Sequence, residues 1–224
     1  MIGGESFTAF LVGSFVSLVT IINPPATLPI FTSVTGSMDA DATRRTATSA
    51  SIYCFCILVG SLLAGSMIMK AFGISYGAMR VAGGMIIGLL GHGMLYGRAE
   101  VSEVAKAQYG NPAFFPLALP GITGPGSIAV VIGLETQIRE LGAFPHRIGA
   151  YLAVLIAMLA VCIVEWLLLR SARSVTKRLG HTGIEVVTRL SGFLLICVGV
   201  QFVASGAQTL YTTLVHAAAT ATGH

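Results

Sequence analysis

The sequence predicts an all-α membrane protein: six transmembrane helices arranged as two inverted three-helix repeats, the first and fourth helices interrupted at Asn-Pro-Pro and Gly-Pro-Gly. Three observations predict it. Of 224 residues, 54% are hydrophobic and only 10% charged, with a mean hydropathy of +0.84. Soluble domains carry about 25% charged residues, so this chain cannot coat its surface for water. Six stretches meet the requirement of about 20 mostly apolar residues for a spanning helix. Two of those stretches carry interior prolines at matching places in the two halves of the chain.

The expected spans run over 7–37, 47–69, 77–97, 113–138, 148–169 and 187–210. The first is overlong and broken by "INPPA" (22–26), the fourth by "TGPGS" (123–127). Connections are short, so residues 1–224 read as one polytopic domain. "MIGGESF" has no basic stretch before the first apolar run, which is therefore expected to be retained rather than cleaved. Basic residues set the orientation. Arg44, Arg45, Arg98, Lys106, Arg170, Arg173, Lys177 and Arg178 gather on one side, against Lys70, Arg80, Arg139 and Arg147 on the other. The richer side is expected in the cytoplasm, which leaves both termini outside.

The two halves resemble each other. Pro24 aligns with Pro125 at an offset of 101; "RVAGGMIIGL" (80–89) aligns with "RLSGFLLICV" (189–198) at 109, pairing Arg80 with Arg189 and Gly83 with Gly192. One insertion or deletion absorbs the difference. Repeat one covers about 7–97 and repeat two about 113–210. Three spans per half is an odd number, so the repeats must be inverted. Inverted repeats with interrupted helices at corresponding positions point to a secondary transporter's site.

Proline has no N–H and displaces the carbonyl four residues back. Pro24 and Pro25 free the carbonyls of Thr20 and Ile21, Pro125 that of Gly121, and Pro120 that of Pro116. Such backbone survives in a membrane only beside protein groups or a water-filled cavity. Beyond each break a half-helix starts with its positive dipole end, and Asn23 suits an N-cap. The expected substrate site is Thr20, Asn23, Pro24, Pro25, Thr27, Gly121, Thr123, Gly124, Pro125, Gly126 and Ser127, with amide donors for a carboxylate and bare carbonyls for an ammonium or small cation. Its side chains are small, which favours a small ligand. A merely structural kink explains one break; two at matching positions favour a site.

Glu165 lies five residues before Arg170, about 7.5 Å along a helix. It is a candidate proton-coupling residue or a structural partner of that arginine. Glu135 and Arg139 are one turn apart and read as an ion pair; His92 reads as a packing residue. Gly84 and Gly88, four apart, suit close helix packing. Cys54, Cys56, Cys162 and Cys197 lie in apolar runs without metal-ligand spacing. They read as small hydrophobes, and no metal or cofactor is expected. The net charge of +4 forms no basic patch on a polar domain, so nucleic acid is not an expected partner. No paired acids in register and no HExxH occur, so no enzyme is expected. An intramembrane enzyme using Glu165 and His92, a lipid-headgroup carrier or flippase, an ion channel and an efflux protein for another small molecule are the alternatives.

"NPPATLPIFTSVTGSM" (23–38) resembles the N-P-x-x-x-x-P-x-F-x-x-x-T segment of the MarC family of bacterial inner-membrane proteins. "PLALPGITGPGSIAVVI" (116–132) resembles that family's P-L-A-x-P-x-x-x-G-P-G block, and "RVAGGMIIGLLGHGML" its third helix. Pro25 departs from the pattern, since family members more often carry another residue after the first proline. The resemblance covers nearly the whole chain. It implies a six-helix, multi-pass inner-membrane protein grouped with the LysE-type exporters, transporting small neutral amino acids of the glycine and alanine type. The expected partners are that small-molecule substrate, H+ or Na+ as coupling ion, and the lipid bilayer, with a homo-oligomer compatible with such a chain.

The basic-residue count makes a prediction. Thr176→Cys, in a background without the native cysteines, should resist membrane-impermeant thiol reagents in intact cells. Labelling there, with protection of the C-terminal tail, reverses the orientation.

Overall fold

A computed structural model describes residues 4–96, 111–141 and 144–221, and their regular structure is all helical, with no strand among them. Arg98 and Lys106, two of the residues counted for orientation, lie outside the described residues. The elements are α1 (Gly4–Ile22), α2 (Pro24–Thr35), α3 (Ala40–Ala71), α4 (Tyr76–Tyr96), α5 (Ala113–Ile122), α6 (Pro125–Glu140) and α7 (Phe144–Ala221).

Proline dictates most of the irregular backbone. α1 and α2 form one apolar rod bent by 41° at Asn23. Asn23 is left-handed, φ 47° and ψ 67°, the only non-glycine residue with positive φ among those described. Asparagine tolerates this region better than most residues, and a residue before proline avoids the helical one. α5 is wound wider than an α-helix, so the Thr123 N–H reaches the Ala118 carbonyl five residues back, at 2.8 Å. Phe115 and Leu119 are extended inside it, and each precedes a proline, Pro116 or Pro120, that forces this conformation.

By length and hydropathy, Ala40–Ala71, Tyr76–Tyr96, His146–Val175 and Glu185–Val215 can each cross a membrane, and the bent α1–α2 pair makes a fifth. Residues 113–138, expected as an interrupted span, form α5 and α6, of 10 and 16 residues, each too short to cross alone. The spans expected over 148–169 and 187–210 lie in α7, two helices that meet directly at a kink at Gly180 (φ 66°, ψ −178°). That conformation is open to glycine. The loop expected between those spans is largely helical, because lysine and arginine are good helix formers. The two parts of α7 on either side of Gly180 are called its first and second arms below.

α3 shows how the ends are fixed. Asp39 caps its start, Oδ1 accepting the Ala42 N–H at 2.6 Å. At its end Gly73 is left-handed, and the N–H groups of Gly73 and Ile74 return to the carbonyls of Lys70 and Met69 at 3.2 and 2.9 Å, the pattern that satisfies the last carbonyls of a helix. α3 packs with the first arm around a core that includes Cys54, Leu58, Val154 and Met158, with Leu18 and Phe31 from α1 and α2. Cys54 and Cys162 are buried free thiols with their sulfurs 3.7 Å apart.

α4 packs against the second arm through glycine. A Cβ on Gly84 would stand 2.6 Å from the Gly199 carbonyl, one on Gly91 2.6 Å from that of Gly192, and one on Gly77 2.9 Å from that of Gly206. The facing glycines are thus seven apart on both helices. Four-residue spacing was expected, from Gly84 and Gly88, but seven residues is two full turns and keeps one face. A Cβ on Gly88 would meet nothing.

Gly84→Ala should therefore destabilise the protein by about 1–3 kcal/mol through overpacking against backbone. Gly88→Ala should be neutral or slightly stabilising, since it only raises helix propensity. Thermal unfolding of the two purified variants checks the contrast. Equal midpoints would place the close contact elsewhere.

Candidate functional site

The two proline breaks share one cavity of about 340 Å³. Gly121, Gly124, Pro125, Gly126 and Ser127 line it from the second break, and Ile21, Ile22, Ala26 and Ile30 from the first. Ile87 and Leu90 of α4 and Leu195 of the second arm close it. The lining is hydrocarbon except for Ser127 and backbone.

The breaks differ in what their backbone offers. Pro24 and Pro25 have no N–H, and the Ala26 N–H is taken by the Asn23 carbonyl at 2.8 Å. The first half-helix therefore presents no free donor at its start. In α6 only Pro125 lacks an N–H, and the Ile128 N–H returns to Gly124 at 3.2 Å. The N–H groups of Gly126 and Ser127 have no acceptor within the helix, and they stand at its positive end. The Ser127 hydroxyl lies a long 3.5 Å from the Ile122 carbonyl. The donors expected at both breaks occur at one, because the doubled proline removes them at the other.

The remaining expected residues lie off this cavity. Thr20 turns its hydroxyl back to the Val16 carbonyl, 2.7 Å away, and lines a second cavity. Asn23 occupies the N-cap position, but its side chain makes no capping bond. The Ala26 N–H that such a cap would bind goes to the Asn23 carbonyl instead. Pro24 is buried and Pro25 exposed. Thr123 is fully buried with an unpartnered hydroxyl. Gly121 is constrained, since a Cβ there would stand 2.8 Å from the Pro116 carbonyl, one of the carbonyls that proline frees.

Thr27 is buried beside Glu165. Its Oγ1 lies 2.6 Å from Glu165 Oε1 and 2.7 Å from the Pro24 carbonyl. Glu165 is fully buried, and its Oε2 has no partner. Arg170 does not pair with it; that guanidinium lies 5.1 Å over the Trp166 ring, so the expected structural partnership is replaced by an aromatic one. Glu165 instead joins the first break to the first arm, a link that no local pattern in the sequence announces. Glu135 and Arg139 do form an ion pair, with the acid buried and the arginine half exposed. The His92 ring lies tilted by 44° against that of Tyr96, with centroids 4.6 Å apart. Among the described residues, no group of three or more acids, histidines and cysteines is placed to hold a metal.

The family model described as MarC family integral membrane protein matches residues 8–211. A Salmonella typhimurium protein named inner membrane protein MarC is 36% identical over 208 residues, covering 88% of this chain and 94% of the relative. Proteins of the same name from Citrobacter koseri and Escherichia coli O139:H28 are 35% and 34% identical over the same coverage. No solved structure matches.

Thr27→Val leaves a buried carboxylic group without its hydroxyl partner, a loss of about 1–3 kcal/mol. Thr27→Ser keeps the hydroxyl and should retain most of the stability. Thermal unfolding in detergent separates them; a Thr27→Val midpoint equal to the wild type would show that the hydroxyl contact contributes no stability.

Proposed function

The chain belongs to the MarC family of integral membrane proteins, and from that premise we propose that it is a secondary transporter of small neutral solutes, of the glycine and alanine type. The observation that carries the reading is the single cavity bounded by both helix breaks, with free N–H donors on one wall and hydrocarbon on the other. A carboxylate fits the donors, and a short aliphatic group fits the isoleucines opposite. The relatives named inner membrane proteins support the same location here.

The fuller arrangement belongs to the same proposal. α5 and α6 together make one crossing, giving six, and the halves 7–97 and 113–210 are inverted copies with both termini outside. The chemistry is binding and release, with no covalent step. Glu165 is the coupling residue, and hydrogen count supplies the reason. Thr27 has one hydroxyl hydrogen and two acceptors in reach, the Pro24 carbonyl and Glu165 Oε1. With Glu165 protonated, the acid donates to Thr27 and Thr27 donates to Pro24. With Glu165 ionised, Thr27 turns to the carboxylate and abandons the Pro24 carbonyl. A proton at Glu165 is thereby felt at the first turn of the half-helix.

The test is counterflow of labelled alanine and glycine in proteoliposomes, with and without a pH gradient. Gly126→Leu should abolish exchange, because even a Cβ there collides with the Ile87 side chain, while the protein stays in the membrane. Glu165→Gln should keep exchange and lose the response to the gradient. Normal transport by Gly126→Leu together with loss of counterflow in Glu165→Gln would place the site elsewhere. A wild-type protein that changes its substrate chemically and shows no counterflow is an enzyme.

A further inference from the structure

The second cavity, of about 300 Å³, lies between α1, α4, α6 and the second arm of α7. Arg80 is the sole charged residue on its lining, and Thr20, Tyr76, Gln137 and Gln201 add polar groups. An arginine within a spanning helix is costly and ordinarily faces a partner or a functional cavity. Among the described residues Arg80 has no acidic partner; the ion pairs there are Glu135–Arg139 and Glu185–Arg189. Its Nε is buried and has no acceptor.

Arg80 is also held in place. Its guanidinium carbon lies 5.1 Å from the centre of the Tyr76 ring and 5.6 Å from that of Phe202, within range of cation–π attraction. The Tyr76 ring is itself seated against Gly133, where any Cβ would collide with the tyrosine hydroxyl. A snorkelling arginine would extend its head to water along a hydrocarbon stem. This one is clamped by aromatics, with an unused donor.

We propose that this cavity is an anion subsite that takes the carboxylate of a small solute. The guanidinium fork matches a carboxylate's two oxygens. The amides of Gln137 and Gln201 supply further donors and acceptors, and Leu134 and Val198 give a hydrocarbon wall for a short aliphatic chain. The cavity is too small for a diacyl lipid, so the ligand is a free solute. Ile21 lines both cavities, which places the subsite next to the helix breaks, as a first station for a solute bound for them. That last role rests on the transport reading; carboxylate binding does not.

The experiment uses the full chain in nanodiscs of phosphatidylcholine, with sodium propionate as probe and propionamide and sodium chloride, at matched ionic strength, as controls. A ligand that binds the folded state raises the unfolding midpoint with a saturable concentration dependence. Propionate should do so, and propionamide and chloride should not. Arg80→Gln should weaken the response by about tenfold or more, as expected for loss of a charge-assisted hydrogen bond. Gly133→Ala, which leaves Arg80 in the chain but displaces Tyr76, should also weaken it, and this variant serves if Arg80→Gln does not fold. The proposal is overturned if the wild type gives no saturable response to propionate, if both variants respond as the wild type does, or if only anionic lipid produces the shift. Alanine counterflow without a propionate response removes this subsite and leaves the transport reading standing. A propionate response without counterflow does the reverse.

Discussion

In hydrocarbon every peptide N–H and C=O must be paired within the chain, and each failure costs several kcal/mol. The rest of this structure follows from that constraint. It makes the regular structure of the described residues all helical, and it turns each proline into an event with consequences at a distance of one turn. α5 winds wide, Phe115 and Leu119 extend, and Asn23 enters the left-handed region, all because a proline follows. The cavity between the breaks is where the displaced backbone is tolerated. The doubled proline at 24 and 25 has a second effect, since it removes donors as well as helical bonds. One break becomes a polar wall and the other an apolar one, although the sequence patterns look alike.

What was legible in the sequence is what is local. Pro24, Pro25 and Pro125 announce the breaks, because proline acts on its own turn. Asp39 and Gly73 end α3 by equally local rules, yet the span expected there, 47–69, stops short of both. The second half of α7 was less legible. Its basic residues read as a loop, yet they continue a helix, and the one true interruption is a single glycine at 180. The glycine packing between α4 and the second arm was visible as composition but not as register. Which glycines face each other depends on rotation of both helices, and only the assembled pair fixes it.

Side-chain partnerships across the fold were the least legible part. Thr27 and Glu165 stand 138 positions apart, and nothing in either neighbourhood singles out the other. A sequence reading pairs Glu165 with Arg170 because they are near on one helix, but the arginine finds Trp166 instead. Arg80 shows the same limit. It aligns with Arg189 in the sequence, yet the two have different fates: Arg189 pairs with an exposed Glu185, while Arg80 sits between aromatic rings. Likeness of segments says little about which atoms they meet.

The glycines of α4 carry a consequence for how the protein is made. Six of its 21 residues are glycine, and with Arg80 they leave it the least hydropathic of the four single-helix spans, at 1.3 against 1.9 to 2.8 for the others. Small residues that permit close docking add little to partitioning into lipid. α4 is therefore held in the bilayer by its neighbours more than by its own solubility there. Its main partner, the second arm of α7, leaves the ribosome well after it. Until that arm is made α4 is a marginal insertion, and docking of the arm secures it in the membrane.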